Sequence, residues 1–412
     1  MSGLNQSSSE LGRPALQRLG LSRPGRALWI AAAVAGAAAL LAGCGERPPV
    51  EPVQLGYRGT GMETVYNPRM VASLYEAQQL PSVTPAASPE GPRASEVYQN
   101  VKVLGNLSVG EFTRVMLAMT AWVAPPDQAC SYCHGADMAD ESKYQYQTAR
   151  KMLEMTLHTN AQWKSHVGST GVTCYTCHAG RPVPQYAWYT APPEQPNGLM
   201  ATNAMQNRPE LSVRLTSLPY DPFTPFLLDK QEIRMAGNTA LPTGNRQSIK
   251  QTEWTYGLMM HFSNSLGVSC LYCHNSRAFA NWEESPPQRT TAWHGIRMVR
   301  DLNVNYLLPL TDIQPKNQLG PTGDIAKINC STCHRGVYKP LFGKGMLKDY
   351  PELSGAYPPA PPAPPADGAP VDGVPADAAS GDAVPGSPQP GGEPPTTAQA
   401  KAPARLAQLP AN

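Results

Sequence analysis

Four copies of one short pattern hold most of the reactive side chains in this chain: CSYCH at Cys130 to His134, CYTCH at Cys174 to His178, CLYCH at Cys270 to His274 and CSTCH at Cys330 to His334. Two thiols three residues apart share one helical turn, and the next residue brings an imidazole beside them. Thiols placed this way can add to the two vinyl groups of a porphyrin, and the histidine is then carried beneath the iron as proximal ligand. A lone C-x-x-C also suits dithiol exchange or zinc. Four copies, each closed by histidine, use eight of the nine cysteines, which points to four covalently bound c-type haems and leaves no motif thiol for a disulfide. Cys130, Cys133, Cys174, Cys177, Cys270, Cys273, Cys330 and Cys333 are the expected attachment points, with His134, His178, His274 and His334 on the metal.

A second axial ligand has to come from elsewhere in the chain, and methionines are placed to supply it. Each helix-like segment ahead of a motif holds at least one: Met116 and Met119, Met152 and Met155, Met259 and Met260, and Met298. Any one of these could be core packing, yet every such segment has one. Met259 and Met260 point about 100° apart on a helix, so only one of them can face an iron. Periodicity does not separate Met116 from Met119, or Met152 from Met155.

The segments that must position these groups read as helices over Ser108–Ala121, Ser142–Asn160, Gln251–Ser265 and Thr290–Leu307. Ser108 with Glu111 three residues on is a capping-box signature, and Phe112, Val115, Met116 and Met119 form one apolar face. Strand signals are sparse, and Pro-rich connections such as Pro182 to Pro225 read as irregular wrapping. Successive motif histidines are 44, 96 and 60 residues apart, so the motifs come in pairs, and GVTCYTCH at Gly171 nearly repeats as GVSCLYCH at Gly267. The expected fold class is therefore mainly α with extensive irregular wrapping, a multihaem cytochrome built from two duplicated two-haem modules. The first module is expected over 95–225 and the second over 226–356.

Both ends differ from this middle. Arg13, Arg18, Arg23 and Arg26 precede the 17-residue apolar run ALWIAAAVAGAAALLAG, which ends at Gly43 before Cys44. That arrangement reads as an export signal over 1–43, and its end resembles a bacterial lipoprotein signal in which Cys44 carries lipid and becomes the first mature residue; an uncleaved anchor is the alternative. Residues 44–94 read as an N-terminal arm with a Pro-rich linker at Pro81 to Pro92. Residues 357–412, rich in Pro, Ala, Gly and Ser, bury too little apolar surface to fold and read as a disordered tail. A net charge of +2 with 16% charged residues gives no basic excess, so no nucleic-acid partner is expected.

The strings NVKVLGNLSVGEFTRVM, ARKMLEMT, GVTCYTCH, YDPFTPFL, LGVSCLYCHN, PQRTTAWHGIRMVRDLNVNYL and KPLFGKGMLKDYPEL resemble the tetrahaem cytochrome c subunit of purple-bacterial photosynthetic reaction centres, over roughly Gly56 to Leu353. The resemblance implies Met116 as sixth ligand for the haem on His134, Met152 for that on His178 and Met259 for that on His274. One residue near Pro125 to Gln128 departs from the family's spacing. For the haem on His334 the resemblance implies a second histidine, His166, whereas the internal repeat favours Met298 and leaves His158 a lesser candidate. His261 and His294 read as packing or surface residues. Arg289 and Arg297 are candidates for a charge beside the third haem.

The family's function implies a relay rather than an enzyme: a soluble periplasmic donor, a cytochrome or a high-potential iron–sulfur protein, passes electrons to the photo-oxidised bacteriochlorophyll special pair. It implies haems in file, that of His134 farthest from the membrane, then those of His334, His178 and His274. It also implies docking on the L and M subunits, with H in the complex, at the periplasmic face of the photosynthetic membrane, and lipid on Cys44 as a second tether. Two other classes compete. A multihaem reductase needs an open or lysine-ligated haem, and the chain has no C-x-x-C-K; a scaffold protein would make the tail a partner-binding arm.

Overall fold

A computed structural model of the chain describes residues 30–37, 51–54, 63–192, 206–233 and 249–355. Cys44 and the tail from 357 lie outside them. The chain is mainly helical. Its one two-stranded antiparallel hairpin among the described residues pairs β1 (Glu51–Gln54) with β2 (Glu63–Tyr66), Glu51 opposite Tyr66. Helix α1 covers residues 30–37, and no helix among the described residues is long and apolar enough to cross a membrane. Helix α2 (Pro68–Glu76) and a single turn, α3 (Ala94–Val97), flank the Pro81–Pro92 segment, which has no regular structure.

The four expected helices are present. Helix α4 (Val109–Val123) starts at the capping box read from sequence: Glu111 N donates to Ser108 Oγ (3.1 Å), and Ser108 N donates to Glu111 Oε2 (2.9 Å). Helix α5 spans Tyr144–Gln162 and is followed by a short turn, α6 (Lys164–Val167). The second motif is itself a helical turn, α7 (Cys174–His178). Helix α8 is Ile249–Leu266 and α9 is Gln288–Leu302, and the fourth motif forms α10 (Cys330–His334). The expected helix to Leu307 stops at Leu302 and widens into a π-type turn over Asn303–Leu307. Asn303 is fully buried there, and its amide bonds outward, donating to Leu227 O (3.1 Å) and Ile328 O (3.0 Å).

Helix–helix contacts follow one plan twice. The helix before the first motif, α4, packs on the second-motif helix α7, and the helix before the third motif, α8, packs on α10. Gly267 makes the second contact possible: its φ is +64°, and a Cβ there would fall 2.2 Å from Gly336 O. Both apolar cores mix residues from early and late in the chain. One core joins Val115, Trp122, Leu153 and Leu157 to Leu341, Met346, Tyr350 and Leu353. The other joins Trp188 and Leu227 to Ile296, Val299, Leu302 and Ile328, with Met152 and Trp163 against it. The chain therefore crosses in space the line drawn in sequence between 225 and 226.

The late segment is held by Arg114, 4% exposed, on α4. Its guanidinium pairs with Glu352 (2.7 Å), donates to Thr84 O and Pro85 O, and lies 4.2 Å from the Tyr350 ring centre. Tyr350 in turn meets Trp122 edge-on at 4.6 Å. Removing one partner of a buried pair leaves the other charge unpaired, at a cost of about 3–5 kcal/mol. Arg114→Met is expected to cost about that much in denaturant unfolding, and Arg114→Met/Glu352→Met to regain a good part of it; a double variant as unstable as the sum of the singles would show the two groups to be uncoupled.

Candidate haem-binding site

The four motifs fall into two local conformations. The second and fourth are α-helical turns opened by reciprocal caps, Thr173 with Thr176 and Asn329 with Thr332, and closed by a left-handed residue, Ala179 (φ 49°) and Arg335 (φ 48°). The first and third lie in 3₁₀ turns, Ala129–Tyr132 and Cys270–Tyr272, with Cys130 and Cys270 exposed. In all four the histidine ring is oriented by the same bond. Nδ1 donates to a carbonyl farther along the chain: His134 to Met138 O (3.0 Å), His178 to Arg181 O (2.8 Å), His274 to Phe279 O (2.9 Å) and His334 to Val337 O (3.0 Å). That bond leaves Nε2 free with its lone pair, the arrangement a metal-binding imidazole needs.

His166 shares this arrangement, with Nδ1 donating to Thr291 O of α9 at 2.9 Å. Its ring faces that of His334 with centroids 6.0 Å apart. An ion bound about 2 Å from a nitrogen of each ring separates two imidazole centres by about 6 Å. The ring of His166 rests on Gly295, where a Cβ would fall 2.6 Å from His166 Cε1. Burial pushes the pKa of His166, His178 and His274 below the ordinary imidazole value, and burial with the nearness of His166 takes His334 down to about 4. These rings are neutral at neutral pH, as a metal ligand must be.

The other three histidines are engaged differently. His158 Nε2 meets Asp301 Oδ2 at 2.7 Å, beside Trp163 Nε1, which donates to the same oxygen at 2.8 Å. His261 is buried against Phe223 and bonds Ser265 Oγ, and burial pushes its pKa down to about 3. His294 stacks edge-on with Trp293 at 4.9 Å.

A cavity of about 1350 Å³ runs along all four motifs, touching all eight motif cysteines, the four motif histidines and His166. It exceeds the roughly 300–1000 Å³ of an ordinary single-ligand pocket. Met116, Met119, Met152, Met155, Met259 and Met298 line it, whereas Met260 does not; His158, His261 and His294 stand outside its wall. The residues thus suit several large planar groups, each with a pair of thiols, an imidazole and a second soft or imidazole donor. Burial pushes Cys174 up to about 11 and Cys273 and Cys330 up to about 12, which holds them as neutral thiols when nothing is attached. No group of three or more His, Cys, Asp or Glu among the described residues could hold a metal by itself.

One placement departs from expectation. Cys177 and Cys333 meet across the α7–α10 contact, Cα atoms 4.5 Å apart, joined as a disulfide, whereas the motif count left no thiol for one. The same sulfurs can form a cystine or two thioethers, not both, so their chemical state is measurable and decisive. Arg289 stands beside the third motif, bonding Phe279 O (3.3 Å) and Ser285 Oγ (2.8 Å) and stacking on Trp282 at 4.0 Å. Arg297 stacks on Trp293 at 4.6 Å and acts on His294, which also feels His166.

A sequence model described as the photosynthetic reaction centre cytochrome C subunit matches residues 46–354. The chain belongs to this family. It is 59% identical over 322 residues to the photosynthetic reaction center cytochrome c subunit of Rubrivivax gelatinosus, covering 78% of this chain and 87% of that one. The same subunit of Thermochromatium tepidum is 52% identical over 332 residues (80% and 81% covered), and that of Roseobacter denitrificans 38% over 338 residues (78% and 90%). As a reaction centre cytochrome c subunit the chain is an electron carrier of photosynthesis with covalently bound c-type haem, and it associates with the reaction-centre complex and so with a membrane.

Gly295→Ala is expected to crowd the His166 ring off α9, at an overpacking cost of about 1–3 kcal/mol, and to shift the midpoint potential of one haem; equal shifts of all haems, or none, would count against a seat specific to His166. Asp301 gives a pH test. Burial raises its pKa, but bonds from His158, Trp163 and Asn305 outweigh that and hold it below the ordinary carboxylate value. Its stabilisation is thus complete above about pH 4, the unfolded value, and is lost as pH falls through the lower folded pKa. Asp301→Asn is expected to flatten the acid limb of a stability–pH curve, and an unaltered limb would detach this network from stability.

Proposed function

We propose that this subunit relays single electrons through four c-type haems, held as two duplicated two-haem modules, from a soluble periplasmic carrier to the photo-oxidised bacteriochlorophyll special pair. When bound, the haem supplies a reversible one-electron change at iron. The observation that carries the reading is the shared bond of five imidazoles, each tied at Nδ1 to a carbonyl and each opening on the cavity that holds all four cysteine pairs. On this reading Cys130 and Cys133, Cys174 and Cys177, Cys270 and Cys273, and Cys330 and Cys333 hold the porphyrins as thioethers. His134 with Met116, His178 with Met152, His274 with Met259, and His334 with His166 would hold the four irons.

The cavity supports Met259 over Met260. It is indifferent between Met116 and Met119 and between Met152 and Met155, for which the family pattern is the support. The alternation of motif conformations, 3₁₀ then α in each half, supports the duplication. Two protein donors for each iron would leave no position for a substrate, which favours relay over catalysis. A thioether favours the reduced state, so the three methionine sites stand above an otherwise comparable bis-imidazole site.

The adjacency of α7 and α10 supports neighbouring haems on His178 and His334 within the order His134, His334, His178, His274, the last nearest the special pair. Docking is proposed on the L and M subunits, with H in the complex, at the periplasmic face of the bacterial inner membrane. Lipid on Cys44 is proposed as a second tether after loss of residues 1–43. The family match that begins at residue 46 and ends at residue 354 supports a processed leader before it and a separate tail after it.

Intact mass and pyridine haemochrome analysis of the purified subunit are expected to give four haem adducts and no free or paired motif thiol. Two haems with a Cys177–Cys333 cystine would overturn the assignment. Flash excitation of membranes is expected to oxidise haem and to do so equally after deletion of residues 357–412; loss of the signal on deletion would support the scaffold reading. Prompt carbon monoxide binding to the reduced native protein would support an enzyme.

A further inference from the structure

Among the residues with which helix α9 lines the cavity, Thr291, Gly295, Met298 and Leu302 follow one another at about one-turn intervals. His166 occupies the first half of that series, with its Nδ1 on the Thr291 carbonyl (2.9 Å) and its ring on the bare Cα of Gly295. Met298 comes next. It is 7% exposed, packed in the core with Ile296, Val299 and Leu302, and it also borders the cavity. A thioether at that position stands one turn from the imidazole that faces His334. The string around it, IRMVRDLN, is placed in α9 much as ARKMLEMT is placed in α5 around Met152.

The two candidate donors are held with different firmness. His166 sits on α6, a turn of four residues ended by Gly168 in the positive-φ region (φ 61°), and reaches α9 through its bond to Thr291 O. Met298 belongs to α9 itself, and a methionine side chain has three rotatable bonds with which to re-aim its sulfur. The imidazole therefore occupies a place that the helix can also serve with its own residue.

Resting on the reading that His166 and His334 hold one iron between them, the geometry points to Met298 as a latent axial ligand for the haem on His334. When the His166 ring is withdrawn, the Met298 thioether takes the vacated position, and the site becomes His/Met like the other three. No electron or proton is consumed in the exchange; one neutral donor replaces another.

The test uses the full-length subunit in its membrane complex with His166→Gly. Near-infrared magnetic circular dichroism of the oxidised protein counts thioether-ligated haems, and redox titration reads the potential of the altered one. The expected result is a count rising from three to four, a higher potential for that haem and no carbon monoxide binding on reduction. His166→Gly/Met298→Leu is then expected to return the count to three and to yield one high-spin haem that binds carbon monoxide. A high-spin, carbon monoxide-binding haem already in His166→Gly would overturn the inference. If that variant accumulates without its haem, Gly295→Ala displaces the ring while keeping every donor, and a count that stays at three with one haem high-spin overturns it equally. A fall in the count on Met298→Leu alone would make Met298 the resident ligand, which defeats the bis-imidazole reading and not merely the inference.

Discussion

The hydrogen bond from imidazole Nδ1 to a backbone carbonyl is the interaction on which the rest of the site depends. It selects the tautomer, turns the ring and leaves Nε2 as the only free donor. Five of the eight histidines make it. Each bond needs a carbonyl at a particular place, and the fold supplies these in two ways. After the second and fourth motifs a left-handed residue reverses the chain within three residues of the histidine; for His166 the carbonyl belongs to another helix altogether. Backbone conformation thus sets the orientation of each candidate ligand ring.

The imidazole of His166 also shows how the two halves of the chain become one body. A ring from the first half lies on a helix of the second and faces the histidine of the last motif. Gly295 is the enabling residue, since the ring occupies the space of its missing side chain. The buried His158–Asp301 pair and the Cys177–Cys333 contact join the same two halves nearby. Three contacts distant in sequence therefore tie the segment 158–177 to the segment 295–334.

Much of this was legible in the residues. The motif cysteines and histidines, the four helices ahead of them, the Ser108 capping box and the sparse strand content all follow from local spacing, which short-range physics enforces. What was illegible depends on contacts distant in sequence. Nothing local distinguishes His166 from His158, which stand eight residues apart; the difference is that one finds a carbonyl on α9 and the other a carboxylate. Nor does the string around Arg297 show that its guanidinium stacks on Trp293. Helical spacing shows that Met259 and Met260 exclude each other but not which one lines the cavity, which is Met259.

The closing of the first core by Tyr350 and Leu353 has a consequence for biogenesis. A chain emerging from its N-terminus exposes Val115, Trp122, Leu153 and Leu157 well before the residues that cover them arrive. The first two motifs therefore lie on an unfinished core until residues 341–353 have been made. The topology itself keeps these early sites reachable until the later motifs have appeared.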